Sequence, residues 1–377
     1  MAEHVLIAGG GIIGLSCAFE AARRGKRVTV VEPGRFGGQA SGAAAGMLAP
    51  YSENTEQPDA FFHLCEYSLR QYPEWVEAVE QGSGDHVEWL RTGSLNVAFH
   101  DADVLPMQTR LIWQNRYGAN AEIVEGEALH RLEPNVTAKA AAGLYSPTES
   151  HVFAPKLVAA LFEACRRLGV RLVAHAGAIE QVLHGSASGV ALVTATGDRY
   201  EGDRLVVCAG AWSGAYEEAL GIKMDVHPIR GQICAFEAAA GEVRHMVFSN
   251  QAYWVGKCDG TVVCGASEDV AGFDTTVTER GIDRLIRATD RTLPILEGRE
   301  TVRRWAGLRP ATRDGQPLLG VLAGKPDIIL AAGHYRNGIL LSPGTAKLVG
   351  DLLDGTKTGV SIDAFRPERF GASTVAH

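Results

Sequence analysis

What this chain lacks narrows it first. Its seven cysteines, Cys17, Cys65, Cys165, Cys208, Cys234, Cys258 and Cys264, include no Cys-x-x-Cys pair. An odd, scattered set fits neither a disulfide framework nor a zinc site and suits a reducing cytoplasm. The twelve histidines show no His-x-x-x-His spacing, and no Gly-x-Ser-x-Gly occurs. A metal centre and a triad hydrolase are therefore not expected. No basic segment precedes the uncharged run 5–19, which is too short to span a bilayer. Excess positive charge is missing too. Lys and Arg number 36 against 44 Asp and Glu, a net charge of −8. Phosphate backbones would be repelled, so no nucleic-acid partner is expected, and no basic amphipathic stretch marks a membrane partner.

What remains is a soluble globular composition. The 377 residues are 46% hydrophobic and 21% charged, enough for a large core and two domains. Residues 371–377 read as a disordered tail. The pattern predicts a strand over 4–8, a glycine turn over 9–14, a helix over 12–24 and a second strand over 27–32, which together form a βαβ unit. Helices are expected over 61–79, 157–168, 279–293 and 344–353. Short strands separated by turns follow residue 170 at 171–174, 178–182 and 190–195. They read as a strand leading into a β-meander, and a strand over 204–208 brings the chain back to the main sheet at 205–209. Further strands are expected at 226–237, 252–257, 261–265 and 328–332. Residues 100–143 mix helix with turns and carry no motif.

The first turn carries chemistry. Gly9, Gly11 and Gly14 fit Gly-x-Gly-x-x-Gly, with Ile12 and Ile13 opening the helix behind them. Gly9 permits the tight turn, Gly11 lets backbone approach a pyrophosphate, and Gly14 permits close helix–strand packing. The helix N-terminus then offers free N–H groups to the phosphates. Glu32 ends the second strand, 18 residues after Gly14, where a carboxylate accepts ribose hydroxyls and repels a 2′-phosphate. The pattern predicts FAD or NAD and disfavours NADP.

Three more segments point to FAD by resemblance. The strand-to-turn sequence Val206-Val207-Cys208-Ala209-Gly210-Ala211-Trp212-Ser213 resembles one in amine oxidoreductases of the D-amino acid oxidase superfamily. So does Ala332-Gly333-His334-Tyr335-Arg336-Asn337-Gly338-Ile339-Leu340-Leu341, a glycine turn opening a helix. The small residues of 40–48, among them Ser41, Ala45, Gly46 and Met47, suit a backbone lying against an isoalloxazine ring. The resemblance implies FAD contacts from these residues and from Val182, Ala209, Gly210, Trp212, Gly333, His334, Arg336, Asn337, Gly338 and Ile339. No Cys follows Cys264 and no His lies between Phe36 and Ala60, so the FAD is expected to be noncovalent.

Over the whole chain the resemblance is to the glycine oxidases of the bacterial thiamin-thiazole pathway. Its most specific part is Trp305-Ala306-Gly307-Leu308-Arg309-Pro310, with Asp314-Gly315 behind it. It implies that Arg309 pairs with a substrate carboxylate, that Arg336 lies near flavin and substrate, and that Tyr253 contacts the carboxylate. Where the family has a methionine, this chain has Glu268. The implied reaction is hydride transfer from the Cα–H of glycine, sarcosine or a small D-amino acid to flavin N5. O2 becomes H2O2, and no residue acts as an acid or base. His334 is read as a packing or flavin-adjacent residue. The resemblance further implies a homo-tetramer and delivery of the imine to a thiazole synthase.

The expected fold is α/β. A Rossmann-like FAD-binding domain (parallel sheet plus β-meander) covers 1–80, 145–225 and 303–370. A discontinuous α+β substrate domain on an antiparallel sheet covers 81–144 and 226–302. Competing readings are a D-amino acid oxidase with a larger pocket, a quinone-linked flavin dehydrogenase, and a flavin-binding tRNA-modification protein or a non-catalytic nucleotide-binding module.

Overall fold

The computed structural model describes residues 2–54, 56–186 and 189–371. The tail expected over 371–377 therefore lies, except for Gly371, outside the described residues. Among the described residues the strands form four sheets. The first strand, His4–Ala8, is fully apolar after His4 and pairs in parallel with Arg27–Val31 on one side and Arg204–Val207 on the other. Arg171–Val173 and Lys325–Ala332 extend this sheet in parallel, and Leu318–Leu322 closes one edge antiparallel. Strands buried on both faces need continuous apolar runs, and the inner strands have them, while the edge strand Arg171–Val173 is only partly buried.

Helix Ile12–Arg23 follows the first strand and buries ten of its twelve residues. It packs beneath the sheet with Ala154–Arg167 and Gly338–Asp354, sharing one core with Ala60–Ser83. On the other face the meander of Ile179–Ser186, Gly189–Thr194 and Arg199–Gly202 covers a second cluster around Leu6, Leu205 and Ile328. The last of these strands is four residues long and carries no apolar run, so the sequence pattern does not show it.

An eight-stranded sheet makes the second layer. Its order is Thr301–Thr312, Val226–Glu237, Thr261–Gly265, Tyr253–Gly256, Met246–Phe248, Ser94–Ala98, Ala142–Ser146 and Glu122–Glu125. All neighbours are antiparallel except the parallel pair of Met246–Phe248 with Ser94–Ala98. Residues 100–143 contribute helices Asp101–Arg116 and Gly126–Leu132 as well as strands.

Three boundaries of the expected division fall inside elements. Residue 80 lies within helix Ala60–Ser83, 144/145 within strand Ala142–Ser146, and 302/303 within strand Thr301–Thr312. The last strand pairs along its length with Val226–Glu237. We propose moving the boundaries to follow Ser83, follow Ser146 and follow Thr312.

The final helix begins six residues before the expected 344. Pro343 has no N–H for the carbonyl of Ile339, which would ordinarily break a helix there. Tyr72 Oη donates to that carbonyl, and Ser342 Oγ also donates to it at 2.9 Å. The helix thus runs unbroken back to Gly338 and brings its N-terminus to the layer junction.

Candidate functional site

A cavity of 540 Å³ lies between the two sheets, within the range of small-molecule and cofactor clefts. At one end stand Gly9, Gly11, Ile12 and Ile13. Gly9 has φ +107°, and a Cβ there would sit 2.4 Å from the Cys208 carbonyl oxygen. Gly14 does not line the cavity. A Cβ on it would stand 1.9 Å from the Gly9 oxygen, so its role is to let the helix approach the turn.

Two helices open on the cavity. Ile12–Arg23 begins at Gly11 and Gly338–Asp354 at Asn337, neither capped by its own N-cap side chain, although Ser41 Oγ takes the Ile12 N–H. Their N-terminal dipole ends therefore face the same space, where they favour anionic groups. Glu32 lines the cavity and also braces the loops: its two oxygens accept from Gly10 N at 2.7 Å and Gly34 N at 2.8 Å. Ala209, Gly210 and Trp212 line it as well, with Ala178 and Ile179 from the meander. Val182 is not among the lining residues. It is packed with Val190 and Leu192, so the meander reaches the cavity at Ala178 and Ile179 instead.

The small-residue segment forms a short helix, Ala40–Ala43, then the two-residue strand Met47–Leu48. Its backbone is pinned at several points. Ser41 Oγ accepts from Ile12 N at 2.9 Å, Trp305 Nε1 donates to the Ala43 carbonyl at 2.9 Å, and Val152 N donates to the Gly46 carbonyl at 2.8 Å. A fourth pin was not visible in the sequence. Lys257, almost fully buried, donates from Nζ to the Ala45 carbonyl at 2.7 Å and the Val152 carbonyl at 3.1 Å. Burial pulls its ammonium down to about 7.

Lys257→Met should lower stability by about 1–3 kcal/mol, because two buried carbonyls lose their donor. The sign with pH follows from the depressed pKa. Between about 7 and the ordinary 10.5 the unfolded chain holds a proton that the folded chain has released. Wild-type stability therefore rises with pH in that window, relative to Lys257→Met. Thermal melts of both proteins at pH 6 and pH 9 check this.

The other end of the cavity holds the charged groups. Gly333 has φ +72° and Tyr335 φ +45°, and this turn delivers His334, Arg336 and Asn337 to the lining. His334 Nε2 lies 3.0 Å from Thr345 Oγ1, and burial holds its imidazole down to about 3, so it is neutral. Tyr253 is buried, and burial pushes its phenol up to about 12. Arg309 comes from the edge strand of the second sheet. Its guanidinium lies over Gly231, where a Cβ would approach within 2.5 Å. Nη1 donates to the Ser267 carbonyl at 2.9 Å. Among the described residues no carboxylate pairs with Arg309.

Arg336 is different. It pairs with Glu53 at 3.3 Å and with Glu268 at 3.0 Å. The Glu53 carboxylate first, then Glu268, holds this guanidinium firmly charged. Glu53 carried no sequence signal. It sits on the four-residue helix Pro50–Glu53, which Glu149 fixes by accepting from Tyr51 N at 2.6 Å, Ser52 N at 2.9 Å and Ser52 Oγ at 2.6 Å. Burial pushes the Glu149 carboxyl upward.

A long cavity with a glycine-turn helix at one end, a second helix N-terminus at the other and an arginine without a carboxylate partner beside it fits an FAD-dependent oxidoreductase. Residues 4–352 match the family described as FAD dependent oxidoreductase, and the chain belongs to it. Within that family it belongs with the glycine oxidases. It is 33% identical to the glycine oxidase of Geobacillus kaustophilus over 96% of this chain and 95% of the relative. The crystal structure of glycine oxidase from that organism superposes with a TM-score of 0.93 at 30% identity, covering 98% of this chain and 99% of the other. The bifunctional protein ThiO/ThiG of a Synechocystis species is 34% identical over 99% of this chain, which spans 55% of that protein. The cofactor is FAD, and the protein is an amine or amino acid oxidase. Among the described residues no helix is long and apolar enough to cross a membrane.

Proposed function

We propose that this protein oxidises glycine and other small amines that carry one carboxylate. The supporting observation is Arg309, half-buried in the cavity wall with no carboxylate of its own. A planar guanidinium binds a carboxylate through two parallel hydrogen bonds. Tyr253 adds a neutral phenol beside it, and the packed walls hold both rigid. Substrate held this way presents Cα–H to one fixed direction, and orientation is the main contribution the chain makes. Gly9, Gly11, Ile12, Glu32 and the Gly333–Gly338 turn would hold the FAD, which would supply the acceptor for the hydride leaving Cα and, with two protons, the electron pair that reduces O2 to H2O2.

No side chain is needed to remove the amine proton. His334 and Tyr253 both stay neutral across the working range. The substrate ammonium must therefore lose its proton in solution before productive binding. kcat/KM for glycine should rise about tenfold per pH unit below the ammonium's own pKa and then level. His334→Gln should leave that limb in place. Oxygen uptake measured across pH tests both statements, and a limb that moves with residue 334 contradicts them. We further propose that the protein works in the cytoplasm, that it forms a homo-oligomer, and that the imine passes to a thiazole synthase. The burial of six of the seven unpaired thiols supports the first point, and the fused ThiO/ThiG relative supports the last.

A further inference from the structure

Arg309, Arg336 and Glu53 line the substrate end of the cavity, and a fourth charge, Glu268, joins them through Arg336. They are not interchangeable. The corner Ser267-Glu268 reaches both arginines at once. The Ser267 carbonyl accepts from Arg309 at 2.9 Å, and Glu268 Oε1 accepts from Arg336 Nη1 at 3.0 Å. Tyr335 Oη donates to the same Glu268 oxygen at 3.1 Å. Glu53 takes the other side of Arg336, with Nε at 3.3 Å and Nη2 at 3.4 Å. Glu53 is nearly buried, at 8% side-chain exposure, whereas Glu268 is half exposed, at 47%. One arginine is thus left for substrate, and the other is spent twice over on protein carboxylates.

We propose that the Glu53–Arg336–Glu268 bridge is the specificity determinant of the cavity mouth, admitting amines with one carboxylate and rejecting those with a second. The inference rests on the carboxylated-amine reading above. Once Arg309 holds the first carboxylate, a second one meets no unpaired cation. It meets two carboxylates of its own sign, one of them shielded from solvent, where like charges repel most. Discrimination here comes from a repulsive element built into the wall and not from lack of room.

The test uses the FAD-loaded protein with three substrates: glycine, iminodiacetate and the amide isostere N-(carbamoylmethyl)glycine. Glu268 is half exposed, so Glu268→Gln and Glu268→Lys can be made without opening the core. The ratio of kcat/KM for iminodiacetate to that for glycine should rise about tenfold in Glu268→Gln and further in Glu268→Lys, chiefly through KM for iminodiacetate. The ratio for the amide isostere should stay within about twofold of wild type, because its tail has the size but not the charge. An iminodiacetate ratio that does not move overturns the proposal. So does an amide ratio that rises in parallel, since that would mean room and not charge. A wild-type protein active on glycine with unmoved ratios removes this inference alone. A wild-type protein that oxidises no carboxylated amine removes the reading beneath it as well.

Discussion

Arg309→Leu should reduce kcat/KM for glycine about a thousandfold, on the order of 4 kcal/mol of lost transition-state stabilisation, while the protein still purifies yellow. The size follows from the site. Arg309 has no protein carboxylate to fall back on, so its removal leaves the substrate carboxylate in a half-buried wall with no cation. The other guanidinium lining this end among the described residues, Arg336, is engaged by Glu53 and Glu268. The FAD should survive the change, because the glycine turn, Glu32 and the two helix N-termini remain in place. Arg309→Lys should recover part of the activity, since a point charge replaces a planar fork. Steady-state kinetics with flavin content per chain decide the matter. Wild-type KM with full flavin would show that the carboxylate binds elsewhere.

Gly14→Val should do the opposite, removing the cofactor and leaving the substrate end untouched. A Cβ on Gly14 would lie 1.9 Å from the Gly9 oxygen and 3.0 Å from its carbon, both backbone atoms that no rotamer change can move. The first helix would have to back away from the turn, and its N-terminus would leave the phosphate position. Overpacking of this kind costs about 3 kcal/mol, and the stabilisation that bound FAD adds is lost besides. The variant should purify colourless and melt below the wild-type apoprotein. A yellow Gly14→Val of wild-type stability would mean that the turn tolerates a shape this geometry forbids.

The parts of this molecule that sequence alone reveals are those governed by neighbours in the chain. The glycine turn, the strands on either side and Glu32 lie within some thirty residues, and the structure builds them as the pattern implies. Arg309 could be singled out within its motif, yet the strand that carries it could not. Gly307 and Pro310 obscure Thr301–Thr312, which is stabilised by pairing with a partner some seventy-five residues earlier. Pro343 likewise hid the start of the last helix, because the hydroxyl that satisfies Ile339 belongs to Tyr72, 267 residues away. Glu53 and Lys257 are harder still. A glutamate after Pro-Tyr-Ser has no local meaning until Glu149 fixes the turn beneath it. A lysine between Gly256 and Cys258 reads as surface until its partners, the Ala45 and Val152 carbonyls and the His151 ring, are known. Val182 failed for a related reason, since the meander's register decides which residue reaches the cavity.

The central claim is that one cavity holds FAD at the glycine turn and presents a one-carboxylate amine to it from Arg309. An anaerobic titration of the purified yellow protein with glycine tests it most directly. The account predicts that the flavin absorbance bleaches stoichiometrically with glycine and returns when O2 is admitted. A flavin that stays oxidised under saturating glycine, and equally under sarcosine and D-alanine, would contradict it.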